Sequence, residues 1–179
     1  MEHLQGTNKI TGPHQGQPVL AAGEPLERAK AAMIMIHGRG ASAEDILSLA
    51  TEMNQSGFIY LAPQAAGYSW YPHSFLAPLE SNEPGISSGL AVIAALFERL
   101  MDAGIGPEHA LLLGFSQGAC LSLEFASRNA RRYGGVVGLS GGLIGPDGTK
   151  HDYPGSLQGT PIGADLSNRS TCQLAIFGL

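Results

Sequence analysis

Five residues, Gly114-Phe115-Ser116-Gln117-Gly118, constrain this chain more than any other stretch because of what flanks them. The run Ala110-Leu111-Leu112-Leu113 precedes them, and residues 117–130 read as a helix. A short apolar run without polar alternation predicts a strand buried on both faces. A chain that passes from buried strand to helix within one or two residues must turn sharply at the serine. Such a turn strains the serine backbone, and side chains two positions away would crowd it, hence glycine at both sites. It also brings the helix dipole and the free N–H groups of the first turn to the same point.

The rest of the chain repeats this alternation. Pro18-Val19-Leu20-Ala21, Ala31–Ile36, Phe58–Pro63 and Gly135–Leu139 read as strands, the last of these being the final clear one. Residues 43–54 read as a helix on Ile46, Leu47, Leu49 and Ala50, and residues 86–103 as another on Leu90, Ile93, Leu96, Phe97, Leu100 and Met101. Gly104 then supplies a C-terminal cap. Apolar strands alternating with helices predict an α/β fold, a mostly parallel sheet with helices on both faces. Residues 1–16 are polar and expected to be loose, 17–161 form one domain, and residues 64–84 form a long loop.

Ser116, placed on such a turn, is the candidate nucleophile. A serine nucleophile needs two N–H donors for the oxyanion that forms, one from the residue after it and one from a loop after an earlier strand. Gln117 supplies the first, and Arg39 in His37-Gly38-Arg39-Gly40 the second. His37 is read as a brace for that loop rather than a base. Gly38-x-Gly40-x-x-Ala43 also fits a dinucleotide fingerprint. That site requires an acidic residue at the end of the next strand, and Leu61-Ala62-Pro63-Gln64 has none. The six histidines lack metal-ligand spacing, so no metal is expected.

Taken together, His37-Gly38-Arg39-Gly40, Ala62-Pro63, Trp70-Tyr71-Pro72, Leu113–Gly118 and Leu139-Ser140-Gly141 resemble the phospholipase/carboxylesterase family of α/β-hydrolases, which includes the acyl-protein thioesterases. The resemblance runs from about Gly16 to Pro161. It implies a cofactor-free hydrolase of small ester, thioester or lysophospholipid substrates, with Ser116 as nucleophile and Arg39 and Gln117 as the oxyanion hole. Trp70, Phe75 and Leu76 would line an acyl pocket or, equally, form an apolar cover. The family pattern then calls for an aspartate and, on a later strand, a glycine-flanked histidine. Asp165 lies near the place of the acid, in different surroundings, and no histidine follows it. His151, the one histidine after Ser116, precedes the acid in chain order. Residues 162–179 are therefore expected to be an aberrant tail from truncation or a frameshift, with the last strand and helix missing and activity impaired. A catalytically dead hydrolase-fold fragment or binding module is the alternative.

A net charge of −5 without a basic cluster predicts no nucleic-acid partner. No apolar run reaches the roughly 20 residues of a membrane span, and the N-terminus lacks a signal-peptide pattern, so a cytoplasmic location is expected. An uncovered sheet edge would favour a homodimer.

Overall fold

The computed structural model describes residues 2–4, 11–53 and 55–165. Its strands are β1 (Glu2–Leu4), β2 (Val19–Gly23), β3 (Ala31–Ile36), β4 (Phe58–Pro63), β5 (Ala110–Phe115), β6 (Gly135–Leu139) and β7 (Ile162–Asp165). Among the described residues four α-helices, α1 (Ala43–Leu47), α2 (Leu49–Met53), α3 (Gly85–Asp102) and α4 (Gln117–Arg128), complete the α/β architecture. The strands make one sheet in the order β1-β2-β4-β3-β5-β6-β7. The β1–β2 and β2–β4 pairings are antiparallel, and all others are parallel.

Why the strands read as unbroken apolar runs is visible in β3. Ala32, Ile34 and Ile36 belong to a core shared with α3 and α4, including Ile93, Phe97, Leu121 and Phe125. Met33 and Met35 belong to a second core with Ile46, Leu47 and Ala50 of the α1–α2 segment. Alternate side chains point to opposite faces, and both faces carry helices, so every position must be apolar.

Local chemistry sets the helix ends. Ser42 caps α1 in a reciprocal box with Asp45. Past α3, Gly104 adopts φ 83°. Its N–H donates to Met101 O, while the N–H of Ile105 reaches Leu100 O, a Schellman closure that also buries Ile105.

Four expectations are corrected. The helix expected over 43–54 is two short helices meeting at Ser48, whose hydroxyl donates to the Asp45 carbonyl at 2.7 Å and competes with the helix ladder; Asn54 lies outside the described residues. Leu49 and Met101 are 39% and 41% exposed rather than in the stripe. The segment 1–16 is not loose throughout: β1 pairs with β2, and His14 is buried. The expected tail contributes a strand, since Ile162–Asp165 pairs in parallel with Val136–Leu139. The remainder of that tail, 166–179, lies outside the described residues.

Candidate active site

Parallel strands end together at one rim of the sheet, and there β5 turns into α4 at Ser116. Ser116 has φ 52° and ψ −114°, outside the regions open to ordinary L-residues. Two bonds hold it there: its N–H donates to Leu139 O at 2.8 Å, and its carbonyl accepts from Cys120 N at 3.1 Å. The flanking glycines have a different reason from the one expected. A Cβ on Gly118 would meet the backbone carbonyls of Ile36 and His37, and one on Gly114 would meet the backbone of Gly118 and Ala119. Glycine lets α4 press against β3 and β5 rather than sparing the serine. Backbone strain of this kind costs on the order of 1–3 kcal/mol, while glycine carries an entropic cost of about 0.5–1 kcal/mol. Ser116→Gly is accordingly expected to raise stability by about 1–2 kcal/mol, read as an upward shift of the urea midpoint. A fall in the midpoint would contradict the strained turn.

The loop after β3 packs directly on this turn. A Cβ on Gly38 would lie 3.2 Å from the Phe115 ring and 3.4 Å from Ser116 Cβ. In the same loop the Gly40 N–H donates to Tyr68 O at 2.8 Å and Ala41 N–H to Gly38 O at 3.2 Å. The Arg39 side chain is tied down as well: its two terminal nitrogens donate to Pro72 O and His73 O at 2.6 and 2.5 Å, and its guanidinium lies 6.0 Å from the Tyr71 ring centre. Gln117 is buried. Its Oε1 accepts from Trp70 N and its Nε2 donates to Tyr71 O, both at 2.8 Å. Two side chains next to the proposed amide donors thus tie the 69–73 segment to the rim.

His37 braces its loop, as its place in the sequence implied. Fully buried, it bonds Gly38 O through Nδ1 at 2.8 Å and accepts from Ala65 N through Nε2 at 3.1 Å. Burial pushes its pKa below the ordinary histidine value, against smaller opposing effects from the Gly38 carbonyl and Asp45.

The acyl-pocket expectation fails at Trp70. Its side chain is fully buried, and its indole N–H donates to His37 O at 2.9 Å, so no face is left for a substrate. Phe75 is half-buried against the core, and Leu76 is also half-buried. The large apolar groups exposed nearest the turn are Phe115, 48% exposed, and Tyr68, 57% exposed at φ 60°. The position of Phe115 beside Ser116 was the one sequence signal for it; nothing marked Tyr68. Asp165 is described by its backbone, at the end of β7 opposite Leu139, which is itself opposite Phe115. Among the described residues no cluster of metal-ligating side chains occurs, and no helix is long and apolar enough to cross a membrane.

Comparison with known proteins agrees with this geometry. The chain is 30% identical over 149 residues to acyl-protein thioesterase 1 of Yarrowia lipolytica, covering 74% of this chain and 66% of that protein. A putative esterase, NocK, of Nocardia uniformis subsp. tsuyamanensis is 28% identical over 137 residues, 73% of this chain and 37% of its own length. The chain thus spans less than two thirds of these curated relatives. The crystal structure of a phospholipase/carboxylesterase from Dyadobacter fermentans superposes with a TM-score of 0.78 at 42% identity, over 82% of this chain and 70% of that one. The family model described as Phospholipase/Carboxylesterase matches residues 19–162, and with the serine turn and α/β sheet in the same stretch, the chain belongs to the phospholipase/carboxylesterase family.

Proposed function

We propose that this chain is the nucleophile-bearing part of a serine hydrolase that cleaves small carboxylic esters, thioesters or lysophospholipids. The observation that carries the reading is the backbone of Ser116, strained at a strand-to-helix turn and packed against Gly38. Ser116 Oγ adds to the acyl carbon, and the alcohol or thiol leaves as the acyl-enzyme forms; water then releases the acid. The Gln117 N–H, at the start of α4, and the Arg39 N–H receive the carbonyl oxygen as it gains charge. Arg39 is assigned because the N–H groups of Gly40 and Ala41 already have partners. Asp165 is the proposed acid. Two strand spacings separate its backbone from the end of β5, about 10 Å, a gap that an imidazole between acid and serine bridges. Names of the relatives, esterase and acyl-protein thioesterase, support this substrate class.

The same reading makes the 179-residue polypeptide slow by itself. Ser116 needs a base for its proton, and no histidine follows Asp165. The His151 ring lies 6.0 Å from that of Tyr153, tilted by 56°, and the Tyr153 hydroxyl bonds Glu124; Glu124 is about 12 Å of helix rise from Ser116.

Fluorophosphonate labelling, with and without added imidazole as a substitute base, tests both parts. An adduct on Ser116 that forms faster with imidazole, and is absent from Ser116→Ala, is the expected result. No adduct on Ser116 even with imidazole would sink the hydrolase reading. Normal p-nitrophenyl acetate turnover without imidazole would sink only the impairment.

A further inference from the structure

Two buried histidines from distant parts of the chain grip consecutive amides. Ala65 N–H donates to His37 Nε2 and Ala66 N–H to His14 Nδ1, each at 3.1 Å. The opposite ring nitrogens face carbonyls: His37 Nδ1 lies 2.8 Å from Gly38 O, and His14 Nε2 lies 2.9 Å from Trp70 O. Each ring therefore accepts at one nitrogen and donates at the other. Only the neutral imidazole can do both, with the proton on Nδ1 in His37 and on Nε2 in His14. A second proton would set N–H against N–H at Ala65 or Ala66.

The rings also enclose Trp70, at centroid distances of 5.0 Å for His14 and 5.2 Å for His37. What they hold is coupled to the candidate site. Trp70 donates to His37 O and to Gln117 Oε1, and Tyr68 O accepts from Gly40 N. We propose that His14 and His37 are paired positioning residues which, while uncharged, clamp the 65–71 segment against the Gly38–Gly40 loop and the start of α4, and release it when protonated. A part for Arg39 in an oxyanion hole rests on the function proposed above; the clamp does not.

Burial opposes protonation. At His14 the Trp70 and Gly85 carbonyls favour the charged ring, while its backbone N–H donates to the Ser88 hydroxyl at 3.1 Å. Glu44 and Asp45 on α1 favour a charge on His37, and His14 disfavours it. Burial outweighs these favourable contacts at both rings, so both pKa values lie below the ordinary histidine value. The sign follows from proton counting. The unfolded chain takes up protons below 6.5 before the fold does, so stability is full above that pH and is lost as pH falls through the lower folded values.

Trp70 is the single tryptophan, so its emission reports on the clamp, and hydrogen exchange reports on the segment. The expected result is a Trp70 emission change with a midpoint below pH 6.5. Alongside it, protection of the 65–71 amides, referred to unfolded-peptide rates at each pH, should fall about tenfold per pH unit for each histidine that titrates. In His14→Gln the pH dependence of protection should be about half as steep. Constant protection of residues 65–71 in the unsubstituted protein from pH 8 to pH 5 would overturn the proposal, and so would an unchanged slope in a folded His14→Gln. Should that variant not fold, the titration of the unsubstituted protein still decides. No acyl chemistry enters, so failure here is separate from failure of the hydrolase reading.

Discussion

Arg128→Ala is expected to lower the stability of this fold by about 3 kcal/mol, because the damage falls on the residue left behind. Glu124 lies on α4 with its side chain fully buried. Its Oε1 accepts from Arg128 Nε at 2.7 Å and from the Tyr153 hydroxyl, and its Oε2 accepts from Ile144 N at 3.1 Å. Burial raises the Tyr153 phenol to about 12, helped by its bond to Glu124, so that group stays a donor at any working pH. Removing arginine leaves a carboxylate with two neutral donors and no counter-charge. Truncating one partner of a buried ion pair costs about 3–5 kcal/mol; the lower end applies because the Arg128 side chain is 32% exposed and partly screened. Arg128→Lys keeps the charge but gives up the planar group 5.6 Å from the Tyr153 ring centre, so an intermediate loss of about 1 kcal/mol is expected. Urea midpoints of the three proteins should rank in that order. An alanine variant within about 0.5 kcal/mol of the parent, as for an ordinary surface change, would mean that Glu124 is not held as a buried ion.

Gly118→Ala sets two effects of opposite sign against each other. Position 118 lies inside α4, where alanine in place of glycine ordinarily gains about 1 kcal/mol. Here the new methyl would lie 2.6 Å from His37 O and closer still to Ile36 O. These are backbone atoms of β3 and the loop after it, and they cannot swing aside as a side-chain tip can. Overpacking of this kind costs about 1–3 kcal/mol and occasionally more; rigid carbonyls place it at the upper end, so a net loss of about 2 kcal/mol is expected after the helix gain. In a chain of this size that lowers Tm by about 4–8 °C. A Tm equal to the parent's would show that α4 does not pack on β3 as closely as this geometry requires.

What could be read from the residues, and what could not, divides along the distance over which each interaction acts. Strands β3 to β6 were legible because each is covered on both faces and so is apolar at nearly every position. The Ser116 turn was legible because its constraints lie within five residues. The end of α3 was marked by Gly104, whose backbone demand is local. His14 shows the opposite case. Its partners, Ala66, Trp70 and Ser88, lie 52 to 74 positions away, and no local pattern separates it from the polar residues around it. Trp70 looked like a pocket residue in a glycine- and proline-rich loop, yet that loop folds inward because its amides find His37, His14 and Gln117. β7 escaped notice because Ile162-Gly163-Ala164-Asp165 is four residues long, with one large apolar side chain and a glycine.

The order of the sheet has a bearing on how the rim comes into being. β5 lies between β3 and β6, and β6 is followed by β7, so the rim at Ser116 is built from strand ends near residues 36, 115, 139 and 165. Parallel neighbours cannot close through a hairpin, and each awaits its crossover. No short fragment of this polypeptide can hold the arrangement, and during refolding it emerges with the docking of the middle strands rather than ahead of it.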